Sequence, residues 1–222
     1  MSLKITFFTL TLLLILDASL AQDLTGNRDR LLVELTKQGT RAPVEDYEGS
    51  PFLDKTFVEG EIYSFKNKFI GVPLRYDIFN DNMEFKQNNY VYTLLPEPHI
   101  KKVQFDGNTF IVEAIGKGKF RFLTQLDSGK VVLMSKKVVL FQKKRQPKGY
   151  ETAATSAKFT RNQDIFFYKI GESGITKVSS LKSLIESLPD KQDDVNQFVK
   201  KEKISAKKEE DLVKLIKYYN SL

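Results

Sequence analysis

"IKKVQFDGNTFIVEAI", residues 100–115, is the stretch on which the fold turns. Two runs rich in Ile, Val and Phe flank Asp106-Gly107, and both turn residues tolerate positive φ. That combination is the strongest short-range signal for a two-residue β-hairpin. Downstream, "KFRFLTQLDSGKVVLMSKKVVLF" (119–141) repeats the logic with "DSGK" as its turn. "GKGKF" at 116–120 could be taken for a phosphate loop, but no helical pattern follows it, so it reads as one more hairpin turn. Upstream, "FVEGEIYSF", "KFIGVPLRYDIF" and "MEFKQNNYVYTLL" continue the series, with "QNN" as a candidate turn. Strand-like runs recur every 8–12 residues or so, and no helical segment of about ten residues interrupts them. The expected pairing is therefore antiparallel and hairpin-linked rather than βαβ.

The pattern breaks at residues 142–157, which are polar and basic and read as a surface loop. "RNQDIFFYKIGESGITKVSS" then supplies one more hairpin, with Gly171 and Gly174 in its turn. From Ser179 the period changes to 3.6. Leu181, Leu184, Ile185 and Leu188 share a helical face that Pro189 ends. Asp190 is placed to cap a second helix carrying Val195, Phe198 and Val199. Ser205 is placed to cap a third, with Leu212, Leu215, Ile216 and Tyr219 along one side. Helices this short are marginal alone, so the tail is expected to dock on the β region, on the face opposite any ligand cavity.

At the other end, Lys4 precedes the apolar run 5–16, and Ser19 and Ala21 sit where a signal peptidase reads. Residues 1–21 are therefore expected to be a cleaved export signal with Gln22 as the new N-terminus. Asp17 and the shortness of the run argue against a membrane anchor. Residues 22–51 read as a short helix, with Leu31, Leu32 and Leu35 on one face, and then a linker broken by Pro43, Gly49 and Pro51. The β region spans 52–178 and the helical unit 179–222. The fold class is α+β: a curved antiparallel sheet (a partly open barrel, roll or sandwich) followed by a small C-terminal bundle of short helices.

Within "VPLRYDIFNDNMEFK", residues 72–86, parity separates two faces. Val72, Leu74, Tyr76 and Ile78 point one way and predict core. Arg75 and Asp77 point the other way. If Asn80-Asp81-Asn82 turns the chain, Glu84 falls opposite Arg75, while Met83 and Phe85 join the core. Arg75, Asp77 and Glu84 are thus expected to form a structural charge cluster on an outer, partly exposed face, worth about 0–1 kcal/mol.

The chemical inventory is thin. There is no cysteine, so there are no disulfides and no lipoprotein anchor, and there is one histidine, His99. This excludes Cys–His nucleophiles and the usual structural zinc sites. No metal, cofactor or catalytic residue is assigned, and His99 is a weak candidate base at a strand start. Asp77 and Glu84 flank one turn, and a glycosidase needs only two carboxylates. The net charge is +7. Export makes nucleic acid an unsuitable partner, and the Lys-rich segments suit an anionic surface such as lipid headgroups.

"GSPFL" (49–53), "EGEIY" at its place before residue 64, "VPLRYDIFNDNMEF" (72–85) and the ending "KKEEDLVKLIKYYNSL" resemble a group of uncharacterised exported proteins of Bacteroidota. The resemblance implies an envelope setting and carries over no site residue. The expected function is non-enzymatic: a periplasmic or envelope-associated binding or interaction protein whose partner is lipid or another envelope protein. One form would hold an apolar ligand in a β half-barrel. The alternatives are a hydrolase acting on envelope polymer through paired carboxylates, and a structural scaffold.

Overall fold

Asp106 (φ 50°) and Gly107 (φ 67°) both take the left-handed conformation that a two-residue hairpin turn requires. The computed structural model describes residues 47–87, 90–147 and 155–222. The export signal, the helix expected between 22 and 39, Asn88-Asn89 of the "QNN" turn and the tip of the basic loop lie outside these residues. The described strands are β1 (Tyr47–Glu48), β2 (Val58–Ser64), β3 (Lys68–Asp77), β4 (Asn82–Gln87), β5 (Tyr90–Leu94) and β6 (Ile100–Phe105). They continue as β7 (Asn108–Ile115), β8 (Lys119–Asp127), β9 (Val131–Gln142), β10 (Ala157–Ile170) and β11 (Thr176–Lys177). Three helices follow: α1 (Leu181–Ser187), α2 (Gln192–Glu202) and α3 (Glu209–Ser221).

The strands form one large, curved, unclosed sheet in the order β1-β10-β9-β8-β7-β6-β2-β3-β4-β5, with β11 beside β10. Pairing is antiparallel with one exception. Tyr47 and Glu48, expected to be linker, pair in parallel with Ala157 and Lys158 of β10. Two residues are too few to show alternation, and this strand leaves no periodic signal.

Val72, Leu74, Tyr76, Ile78, Met83 and Phe85 are buried as parity predicts. They join Ile62, Phe69, Val103, Phe105, Phe110 and Phe122 in one aromatic core on the inner face. The tip of the β3–β4 hairpin reaches across this face. Tyr76 packs on Phe110 and Phe122, and Phe79 packs on Phe141 and Phe159.

The helices dock as expected, but not on the opposite face. Val131 and Leu133 of β9 and Phe166 and Tyr168 of β10 pack with Leu184, Val195, Leu212, Leu215, Ile216 and Tyr219. Val139 of β9 shares parity with Val131 and Leu133 and belongs to the aromatic core, so core and helices occupy the same side of the sheet. Asn220 pins the end of α3. Its Oδ1 accepts from Val131 N at 2.9 Å, and its Nδ2 donates to Val131 O at 2.9 Å and to Asp127 Oδ2 at 3.0 Å.

The sheet also splits. β8 and β9 pair at Asp127↔Leu133, Gln125↔Met134 and Thr124↔Ser135, and the ladder stops there. Beyond that point β8 pairs only with β7, and β9 only with β10. The β3–β4 turn sits in the opening.

Candidate functional site

Arg75 and Glu84 are directly opposite in the β3–β4 register. Arg75 Nε donates to Glu84 Oε2 at 2.7 Å, and Nη2 donates to the same oxygen. Nη1 donates to Lys55 O at 3.0 Å. The expected exposure is corrected here, because Arg75 and Glu84 are each only 8% exposed. The cover comes from the segment before β2: the guanidinium lies 3.7 Å from the Phe52 ring centre and 4.4 Å from that of Phe57. Asp77 does not join this pair. It closes the hairpin turn instead, accepting from Asn80 N at 2.9 Å and Asn80 Nδ2 at 2.8 Å. Both carboxylates of the expected pair are thus engaged in separate structural bonds, and they do not converge on a shared cleft.

His99 stands just before β6, half-exposed, with Nδ1 3.4 Å from Glu97 Oε2. Its carbonyl accepts from Phe65 N at 3.0 Å. Among the described residues no group of three or more His, Asp or Glu side chains is placed to hold a metal.

The feature with a surface chemistry of its own lies where β2, β3 and β6 present their outer face. Tyr63 pairs with Lys68 on one side and Lys102 on the other. Both ammonium groups lie over its ring, at 4.9 and 4.2 Å from the centroid. One step further, Lys101 lies 5.0 Å from the Phe65 centroid. Phe65 is 67% exposed at the hairpin end, and Ile70, opposite Glu61, is 58% exposed. A register shift in β6 between Lys102 and Ile100 puts Lys101 and Lys102 on the same patch. Lys66, next in the chain after Phe65, is exposed as well.

The charges here are firmly set. Glu61 is held below its usual range, first by the Tyr63 hydroxyl that donates to it and then by Lys68. Lys68 is raised, first by Tyr63 and then by Glu61. Lys68 Nζ lies 3.2 Å from Glu61 Oε1.

Sequence reading noted the Lys-rich character but not this patch, because its members come from three strands separated by up to 39 positions, Tyr63 to Lys102. The legible signal was local: "SFKNK" (64–68), an aromatic between strand ends followed by two lysines. No protein-family model, no curated protein and no solved structure matches the chain.

Proposed function

We propose that the protein is an exported, non-enzymatic interaction protein that binds an anionic lipid surface through the patch around Phe65. The observation that carries this reading is the exposed Phe65 with Lys101 over its ring, beside the strand-end Tyr63 whose ring carries Lys68 and Lys102. An aromatic at a hairpin end enters the headgroup boundary, and lysines around it meet anionic headgroups with about 1 kcal/mol each. An acidic polysaccharide would engage the lysines alone and leave Phe65 and Ile70 without a role. An interior carrier function has less support, since the inner face is filled by the aromatic core and the helices.

Co-sedimentation with phosphatidylcholine vesicles, with and without phosphatidylglycerol, tests the proposal. Binding is expected only to the anionic vesicles and is expected to weaken as salt rises. Replacing Lys101 and Lys102 with Gln should weaken it about thirtyfold, from two lysines at about 1 kcal/mol each. Phe65→Ser should weaken it without removing the salt dependence. Equal binding to neutral vesicles, no binding to either, or an unaffected Phe65→Ser variant would each overturn the reading.

A further inference from the structure

The opening between β8 and β9 is lined in part by charged side chains. Asp81, at the tip of the β3–β4 turn with φ 57°, is 6% exposed. Its Oδ1 accepts from Tyr76 Oη at 2.6 Å and from Lys136 Nζ at 2.9 Å. Its Oδ2 lies 3.3 Å from Arg121 Nε. Arg121 comes from the stretch of β8 that has left β9, and Lys136 is the first β9 residue beyond the last pair. One carboxylate therefore serves two cations. The neighbouring Lys137 meets Asp164 at 2.8 Å and Glu209 at 3.0 Å, and Arg161 lies 3.8 Å from Asp164. Lys137 and Arg161 thus have Asp164 and Glu209 as partners, while Arg121 and Lys136 share Asp81.

A cavity of about 240 Å³ lies against these groups. Its polar side is Arg121, Lys136 and Asp81, and its apolar side is Ile78, Phe79 and Val139. Arg121 uses Nε on Asp81 and Nη1 on its neighbour's carbonyl, Phe120 O, at 3.3 Å. Its Nη2 and the remaining protons of Lys136 can still donate. Two cations that share one carboxylate at the cavity wall, with donors left over, suit an incoming anion. The volume exceeds what a bare ion fills, and the apolar wall suits a short hydrocarbon.

We infer that this opening is a binding site for a small monocarboxylate, with the carboxylate on Arg121 Nη2 and Lys136 Nζ and a short aliphatic body against Ile78 and Val139. The site is separate from the Phe65 patch and does not depend on lipid binding. Asp81 is the positioning residue: it holds both cations at the mouth, and it excludes dianions by repulsion.

Calorimetric titration of the full chain with butyrate at fixed ionic strength tests the site, with inorganic phosphate and 1-butanol as comparison probes. Butyrate is expected to bind, while phosphate and butanol bind at least about tenfold more weakly, the loss of roughly one charge-assisted bond or of the apolar contact. Arg121→Gln should abolish the butyrate signal, and exposed Lys182→Gln should leave it unchanged. Because Arg121→Gln could disturb the turn, the Arg121 Nε–Hε resonance of the unmodified protein gives an independent reading and should shift on titration with butyrate. Silence of that resonance, absence of butyrate binding, or phosphate or butanol binding as well as butyrate would overturn the assignment.

Discussion

Arg75 shows how much one side chain's role depends on cover that arrives from elsewhere in the chain. Opposite Glu84 on an open face it would contribute little. Under Phe52 and Phe57 it becomes a buried ion pair, and removing one partner leaves the other charged and desolvated. Arg75→Ala is therefore expected to cost about 3–5 kcal/mol, comparable with the roughly 2–5 kcal/mol of Leu74→Ala in the aromatic core. Urea melts of the two variants check this, and a loss under 1 kcal/mol for Arg75→Ala would return the pair to the surface. Replacing Arg75 and Glu84 together with Met and Leu should recover most of the loss, since an apolar pair leaves no orphan charge. The pairing itself was legible from parity and the Asn80-Asp81-Asn82 turn. The burial was not. It depends on Phe52, in a stretch without periodicity, and on Phe57, just ahead of β2, and Phe52 is fixed beside Asp77 by a single bridge. Asp81 escaped notice for a similar reason: a turn aspartate looks local until the fold brings Arg121 and Lys136 to it.

Among the elements, the helices show where local rules held and where packing replaced them. α1 has a capping box, with Ser180 Oγ accepting from Ser183 N at 3.0 Å and Ser183 Oγ accepting from Ser180 N at 3.3 Å. α2 and α3 begin after Lys191 and Lys208 with no side-chain cap. Asp193 and Asp194 in one first turn, and Glu209, Glu210 and Asp211 in the other, offset the positive helix ends instead. The expected caps do other work. Asp211 accepts from Ser205 N at 3.0 Å, and Asp190 accepts from Tyr219 Oη at 2.9 Å. The Asp190 contact predicts an alkaline weakness. Burial, and then the bond to Asp190, push the Tyr219 phenol up to about 12 from an ordinary 10.0. Below pH 10 the phenol is neutral in both folded and unfolded chains, and its contribution is complete. Between 10 and 12 the unfolded chain releases the proton first, so stability falls by at most about 2–3 kcal/mol. Tyr76, raised by burial and by Asp81, acts in the same direction. Urea midpoints at pH 8 and pH 11.5 should show wild type ahead of Tyr219→Phe at the lower pH, with the gap narrowing or reversing at the higher. A constant gap would mean that Tyr219 ionises alike in both states.

At the scale of the whole molecule, the question is whether sheet and helices form one cooperative unit. The strand periodicity made the β region legible, and the 3.6-residue period made the three helices legible. The choice of docking face was not, because the apolar residues of β9 and β10 lie on both faces. Leu123, Met134 and Phe167 cluster on one side, while Val131, Leu133, Phe166 and Tyr168 pack with the helices on the other. A strand apolar on both faces says that both are covered and does not say by what. In the fold, α3 is clamped at both ends, by Lys137 on Glu209 at its start and by Asn220 on the β8–β9 turn at its finish. The α2 side is held through stacking of Phe198 on Tyr218, 4.0 Å between centroids. Deleting residues 179–222 would therefore expose Val131, Leu133, Phe166 and Tyr168 together. The truncated protein is expected to bind a hydrophobic dye and to aggregate, while the full chain melts in a single transition seen alike by far-UV dichroism and tyrosine fluorescence. Asn220→Ala is the gentler test. It removes three bonds at the β8–β9 turn and should lower the midpoint of that same single transition. If it instead splits the melt into an early helical step and a late sheet step, the helices are a separable unit and the clamp at Val131 does not couple them to the sheet.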